Sequence, residues 1–226
     1  MNSKNGDFLL LLCLVAVCLI PYPLLPFTVV IDAGHGGAEK GAVHGTLVEK
    51  SLTLHLAQKM RQLLSVQKGI RVVMTREEDI TLSLEERARI VNENTPDLFV
   101  SIHFNTDPFM LSETRGFEIY YPSDDTMRPL GDFFPSFHRN NKSFVAGKFV
   151  RDRYLHSPIF TIWKHDLNLF TQRDLKIFRL ITVPSLLLEI AYLSSDNDRA
   201  RIENSQFLDD MAAFLVETIV DYARRR

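Results

Sequence analysis

Beyond residue 18 the chain contains no cysteine. Cys13 and Cys18 both sit inside one apolar segment near the N-terminus, so the rest of the chain can form no disulfide and offers no thiolate to a metal. Its stability must come from a packed core, and its metal ligands, if any, must be His, Asp or Glu. Charge of one sign is also scarce. The 26 Lys and Arg against 28 Asp and Glu leave a net charge of -2, which gives no electrostatic footprint for nucleic acid. Arg224-Arg225-Arg226 reads as a solvated helix end near the negative pole of the dipole. No internal repeat, low-complexity tract or clear linker interrupts the chain, which excludes solenoids and strings of domains.

What is present is enough for one well-buried domain: 226 residues, 46% of them hydrophobic, but too few for two large units. The N-terminus differs from the rest. Phe8 to Ile20 is unbroken apolar sequence, 13 residues preceded by Lys4 and followed by Pro21 and Pro23. That length suits the core of a signal peptide better than a full membrane span. Residues 1–26 are therefore expected to direct export, with two fates open: cleavage as a signal peptide, or retention as a membrane tether. No small-residue pair of the A-x-A kind follows the apolar core, and Val17 stands where a lipoprotein signal needs a small residue before Cys18.

Residues 27–226 are expected to form a single α/β domain, a mostly parallel or mixed central sheet with helices on both faces. Apolar, β-branched runs predict strands at Phe27 to Ala33, Ile70 to Met74 and Leu98 to His103, a more exposed strand at Gly116 to Tyr121, and further strands at Asp174 to Phe178 and Ser185 to Ile190. Helical spacing of Leu52, Leu56, Met60, Leu63 and Leu64 predicts a helix over Glu49 to Leu64. Ser83 and Glu86 form a capping-box pattern that opens another, through about Glu93. Pro122 to about Asn141 reads as an irregular loop, Ser143 to Leu155 as helix, then a loop through Thr171. Asp196 to Tyr222 closes the chain mostly as helix, with Met211, Leu215 and Ile219 on one stripe.

Four residues stand in contexts that suggest joint chemistry. Asp32-Ala33-Gly34-His35-Gly36-Gly37 places His35 in a glycine-rich turn at the carboxyl end of the first strand, where open α/β sheets bind ligands. Alone, a turn histidine is more often without function, and Asp32 is expected to orient either the ring or the turn. His103 ends the run Leu98-Phe99-Val100-Ser101-Ile102 and by itself is as readily a satisfied core histidine. Glu49 heads a helix shortly after the His35 turn. Such a glutamate commonly does no more than favour the helix dipole, yet this one is placed to fold back toward His35. Glu189 lies in Leu186-Leu187-Leu188-Glu189-Ile190, where an unpartnered carboxylate is costly to bury and a metal or a catalytic role would offset the cost. Two histidines, one glutamate ligand and a spare glutamate are what a hydrolytic zinc site requires. His44 lies near the turn without an assigned role, and His55, His138, His156 and His165 show no comparable placement.

The segments Asp32 to Gly37, Val48-Glu49-Lys50, Ser101-Ile102-His103-Phe104-Asn105 and Leu188-Glu189-Ile190-Ala191-Tyr192-Leu193-Ser194 occur in that order. Together they resemble the zinc-dependent N-acetylmuramoyl-L-alanine amidases of the type-3 amidase family, cell-separation and lytic enzymes that cut peptidoglycan. Thr75-Arg76, Ser83-Leu84 with Arg87, and Gly116-Phe117-Glu118-Ile119-Tyr120-Tyr121 match as well, so the resemblance runs from Thr28 onward. It implies His35, Glu49 and His103 as zinc ligands and Glu189 as the catalytic carboxylate. The implied reaction is hydrolysis of the amide joining the lactyl carboxyl of N-acetylmuramic acid to L-alanine, in cell-wall remodelling or cell separation. The implied place is periplasmic or otherwise extracytoplasmic.

The resemblance also leaves room for an activator protein, because some relatives carry a blocking helix that such a protein relieves. Ser143 to Leu155 is too polar to be read as that helix. Part of Asp107 to Ser112 or Pro122 to Leu169 is expected to cover or shape the site. Ala33, Phe104, Ala191-Tyr192 and Ser195 depart from the usual pattern, and Phe104 is expected to narrow the floor of the groove. Two alternatives stay open: a zinc peptidase cutting within the stem peptide, and a catalytically silent wall-binding module. The lack of an H-E-x-x-H helix counts against the commonest zinc endopeptidase design. The joint presence of three ligands and Glu189 counts against a silent module.

Overall fold

The computed structural model describes residues 25–107, 109, 114–123, 133–160 and 169–225, with backbone alone for 133–137. The N-terminal segment, with Cys13, Cys18 and its expected export role, lies outside the described residues, as does His165. Strand β1 (Phe27–Ala33) is buried at all seven positions, as a continuous apolar run requires of a strand covered on both faces. It lies between β4 (Ile70–Met74) and β5 (Leu98–Asn105), parallel to both. β5 pairs in parallel with β8 (Ser185–Tyr192), β6 (Glu118–Pro122) runs antiparallel beside β8, and β7 (Phe170–Arg173) closes that edge parallel to β6. The sheet is thus mixed and six-stranded, in the order β4-β1-β5-β8-β6-β7. A small hairpin, β2 (Val43–His44) with β3 (Leu47–Val48), stands apart from it.

Helices cover both faces. Helices α1 (Glu49–Ser65), α3 (Phe133–His156) and α6 (Ser205–Ala223) pack on one face through side chains such as Leu56, Met60, Val150, Tyr154, Met211 and Leu215. Each fully buried aliphatic side chain of this kind stabilises the fold by about 1.5–3 kcal/mol. The other face is covered by α2 (Leu84–Asn94) and the short α4 (Lys176–Leu180), with Ala88, Val91, Ile177 and Phe178 against Val30, Phe99 and Leu187. The capping box forms as its residues require: Ser83 Oγ accepts from Glu86 N–H, and the Glu86 carboxylate accepts from Ser83 N–H. Among the described residues no helix is long and apolar enough to cross a membrane.

Three expectations are corrected. Asp174 to Phe178 is not a strand: the strand is Phe170–Arg173, and Lys176–Leu180 is a helical turn that buries Ile177 and Phe178 under α2. The loop ends before Asn141, because α3 begins at Phe133 with Pro135 in its first turn, where no amide hydrogen is needed. The terminal helix is two helices, α5 (Asp196–Ile202) and α6, separated at Glu203 and Asn204, where Asn204 caps the second by accepting from Gln206 N–H. α3 packs on a face of the sheet, so its described part does not cover the crevice at the carboxyl ends of the strands.

Candidate metal centre

The carboxyl ends of β1 and β5 bring His35 and His103 to one crevice, and the first turn of α1 inserts Glu49 between them. Glu49 Oε2 lies 3.1 Å from His35 Nε2, and Oε1 lies 3.0 Å from His103 Nδ1. One candidate ligand atom from each residue falls within 4.8 Å of the other two, and no other such trio of His, Cys, Asp or Glu occurs among the described residues. Two backbone donors fix the carboxylate from behind: Ala42 N–H to Oε2 at 2.7 Å and Phe104 N–H to Oε1 at 3.0 Å. Burial acts to raise the Glu49 pKa, but hydrogen bonds from His103 and His35 prevail and hold it at about 2. For His103 burial acts downward, and its hydrogen bond to Glu49 together with the Glu189 charge raises it instead.

The local backbone explains how the sequence aims these groups. His35 adopts φ 59, a left-handed conformation that costs a residue with a Cβ free energy. A buried scaffold holds it there. Asp32 accepts from Thr75 Oγ1 at 2.6 Å, Ser101 Oγ at 2.6 Å and Arg87 at 2.5 Å. Arg87 also donates to the carbonyls of Ala33 (2.8 Å) and His35 (2.6 Å), and Arg76 donates to those of Ala33 (2.9 Å), Gly34 (3.0 Å) and Lys50 (2.8 Å). Asp32 therefore orients the turn through Arg87, not the imidazole directly. Two glycines make room for the ligands. A Cβ on Gly34 would meet the His103 ring at 2.4 Å, and one on Gly41 would meet Glu49 Oε2 at 2.3 Å.

Glu189 lies beside this cluster, in register with His103 on β5 and with Glu118 on β6. Its Oε2 is sealed from solvent and has no hydrogen-bond partner among the described residues. Burial raises its pKa to about 7, with the Glu49 and Glu118 charges adding to the rise and the His103 charge opposing it. A buried, unpartnered carboxylate oxygen calls for a group that the protein itself does not supply. Two imidazoles and an ionised carboxylate, converging beside that oxygen, fit a zinc ion in donor chemistry and in number. A groove of about 370 Å³ leads from His35 and His103 past Ser83 and Arg87 to Lys176 and Leu187.

The sequence reading placed Glu118 in a supporting strand without a role. It is buried, and its Oε2 accepts from Asn105 Nδ2 at 3.0 Å, Tyr120 OH at 2.8 Å and Tyr192 OH at 2.7 Å. The signal that singled out Glu189, one carboxylate in an apolar strand, is present at Glu118 too. Phe104 does not narrow the groove: it is 1% exposed, within the core on the α1 side. Ser195 caps α5 by accepting from Asp198 N–H, a task asparagine performs equally well. His44 sits in the β2–β3 hairpin outside the trio, and His55, His138 and His156 are exposed.

The model of the N-acetylmuramoyl-L-alanine amidase family matches residues 29–221. An endolysin of Bacillus phage SPP1 is 28% identical over 194 residues, which span 84% of this chain and 64% of the endolysin. The catalytic domain of CwlV, an N-acetylmuramoyl-L-alanine amidase from Bacillus (Paenibacillus) polymyxa var. colistinus, aligns with a TM-score of 0.69 at 27% identity, over 88% of this chain and 99% of that one. The CwlD amidase of Clostridioides difficile, solved in complex with the GerS lipoprotein, shares the fold with a TM-score of 0.72 at 22% identity, over 88% and 99% of the two chains. The family match extends from β1 into α6 and takes in all four residues of the crevice. This chain belongs to the type-3 N-acetylmuramoyl-L-alanine amidases.

Proposed function

We propose that this protein is a zinc-dependent amidase acting outside the cytoplasm on peptidoglycan, in cell-wall remodelling or cell separation. It hydrolyses the amide between the lactyl carboxyl of N-acetylmuramic acid and L-alanine. The observation that carries this reading is the unpartnered Glu189 oxygen beside the His35, Glu49 and His103 cluster. Those three side chains would hold the ion. Zinc bound there supplies Lewis acidity and makes water a nucleophile near neutral pH.

The remaining tasks fall to side chains of the chain itself. Glu49, ionised at every physiological pH and fixed by the amides of Ala42 and Phe104, would serve as the anionic ligand between the two imidazoles. Glu189 accepts the proton of the attacking water and delivers it to the nitrogen of the departing L-alanine. Burial, which raises this carboxyl to about 7 in the metal-free protein, favours its taking up a proton from the water. Arg76, Arg87 and Asp32 hold the turn that presents His35, and the groove from His103 to Lys176 receives the substrate. The GerS complex of the CwlD relative supports an accessory protein as a partner class. The apolar run Phe8 to Ile20 supports export, and the lack of a small-residue pair of the A-x-A kind after it favours retention as a membrane tether over cleavage.

Mass spectrometry of wall digests, run with and without a chelator, tests the reaction. The expected products are free lactyl carboxylates and stem peptides with an intact N-terminal alanine, formed only when metal is present. Cuts within the stem would establish the peptidase alternative, and binding without cleavage the silent module.

A further inference from the structure

Opposite the crevice, the amino ends of β1, β4 and β5 form the other pole of the domain. The described chain enters there: Leu25 is 82% exposed, and Phe27 N–H donates to Gly69 O at 2.8 Å, beside the turn that follows α1. Val66, in that turn, is 77% exposed, and Val145 on α3 is exposed as well. A groove of about 650 Å³ is lined by Phe27, Phe149 and Tyr222, with Lys142, Lys148 and Arg225 among its charged side chains. Its acids are Asp97 and Asp152, and Asp152 is paired with Lys148 and Arg151. Arg225 lays its guanidinium 4.7 Å from the centre of the Phe149 ring, and Lys68 stands exposed beside Val66. Apolar and aromatic side chains interspersed with cations are the composition of a surface that settles into a headgroup layer.

We infer that this pole docks on an anionic phospholipid bilayer and holds the crevice on the far side, facing the wall. The inference rests on the tether reading above and extends it. Only residues 21–26 separate the apolar run from β1, a reach of at most about 20 Å at ~3.3–3.6 Å per residue. β1, seven residues long, sets the two poles a further ~23 Å apart at ~3.3 Å per residue. A domain held by so short a link brings its entry pole to the membrane, and that pole carries exposed Leu25, Val66 and Val145 beside Lys68, Lys142 and Arg225. Val43, Ile80 and Leu84 are exposed around the crevice as well, so the short link decides between the two poles. The arrangement limits hydrolysis to wall strands within a few tens of ångströms of the bilayer, on the order of the link and strand lengths together.

The full chain, reconstituted in vesicles carrying a trace of lipid with a photoactivatable headgroup, tests this directly. With phosphatidylglycerol present, peptide mapping should find label at residues 66–68, 142–149 and 222–225 besides the N-terminal segment, and not at 36–45 or 80–85 around the crevice. Vesicles of phosphatidylcholine alone should label the domain several-fold less. The Lys68→Glu, Lys142→Glu, Arg225→Glu triple variant should still hydrolyse soluble wall fragments, which shows it is folded, while domain labelling drops at least about tenfold. Label confined to the N-terminal segment, unchanged in the triple variant, or centred on the crevice pole would overturn the inference. So would a full chain that joins neither kind of vesicle. Because the readout is lipid attachment, each of these failures leaves the amidase reading standing.

Discussion

Replacing Glu189 with Gln removes one proton-accepting oxygen and almost no volume, and the structure gives the change two opposite consequences. In the metal-free protein the carboxyl is raised from 4.5 to about 7 because Oε2 is buried without a partner. A group that holds its proton more tightly in the folded than in the unfolded chain contributes stability that is complete below the unfolded value. That contribution is lost as pH rises through the folded one. Between pH 4.5 and about 7 the ceiling of this loss is about 3 kcal/mol, at ~1.36 kcal/mol per decade of proton affinity. Glutamine carries no charge and escapes it. The metal-free Glu189→Gln protein should therefore match the wild type at pH 4 and exceed its stability at pH 8 by up to about 3 kcal/mol, or roughly 6–12 °C in Tm for a domain of this size. Amide hydrolysis should meanwhile fall by about 10²–10⁴-fold with zinc content unchanged. Paired thermal unfolding at the two pH values and wall-digest assays read both effects. Retained hydrolysis would remove Glu189 from proton transfer. Equal stability at pH 8 would show that its carboxylate has a partner after all.

Three further perturbations probe the same frame. His103, like Glu189, has its pKa raised in the fold, so the metal-free protein should lose stability as pH rises from 5 to 8, and the Tm gain on adding zinc should be larger at pH 8 than at pH 5. Glu49 acts in the opposite direction, and its contribution is lost only as pH falls from 4.5 toward about 2. Arg87→Ala leaves Asp32 buried without its ion-pair partner, frees the carbonyl of His35 and leaves that of Ala33 to Arg76 alone. Denaturant titration should show a loss of about 3–5 kcal/mol, and the protein that still folds should bind less zinc. Gly41→Ala drives a methyl to 2.3 Å from Glu49 Oε2 and 2.7 Å from His35 Cδ2 at a residue with φ +66. Isothermal titration should report zinc affinity reduced at least about tenfold, with the circular dichroism of the fold preserved.

Most of the frame could be read from local pattern because local pattern is what forms it. β1, β5 and β8 are apolar runs that belong in a doubly covered sheet, and α2 carries its own start signal in Ser83 and Glu86. His35, Glu49 and His103 could be proposed as partners because each sits at the end or the beginning of such an element. The misreadings arose where local pattern is ambiguous. Leu175, Ile177 and Phe178 satisfy a buried strand or a buried helical turn equally, and packing against α2 decides for the turn. Phe133 to Arg139 looks like loop because it carries a proline, yet a first-turn proline is compatible with a helix. Glu118 escaped assignment because its place beside Glu189 depends on the antiparallel register of β6 on β8, and its hydrogen bonds reach across three strands to Asn105 and Tyr192. Nothing within either segment encodes that register.

X-ray absorption at the zinc edge, on protein purified without chelator, measures the claim on which the rest depends. The account predicts one zinc per chain, bound through two imidazoles and a carboxylate with no sulfur neighbour, and lost in Glu49→Ala. A chain without zinc, or zinc bound in unchanged surroundings after that substitution, would contradict it.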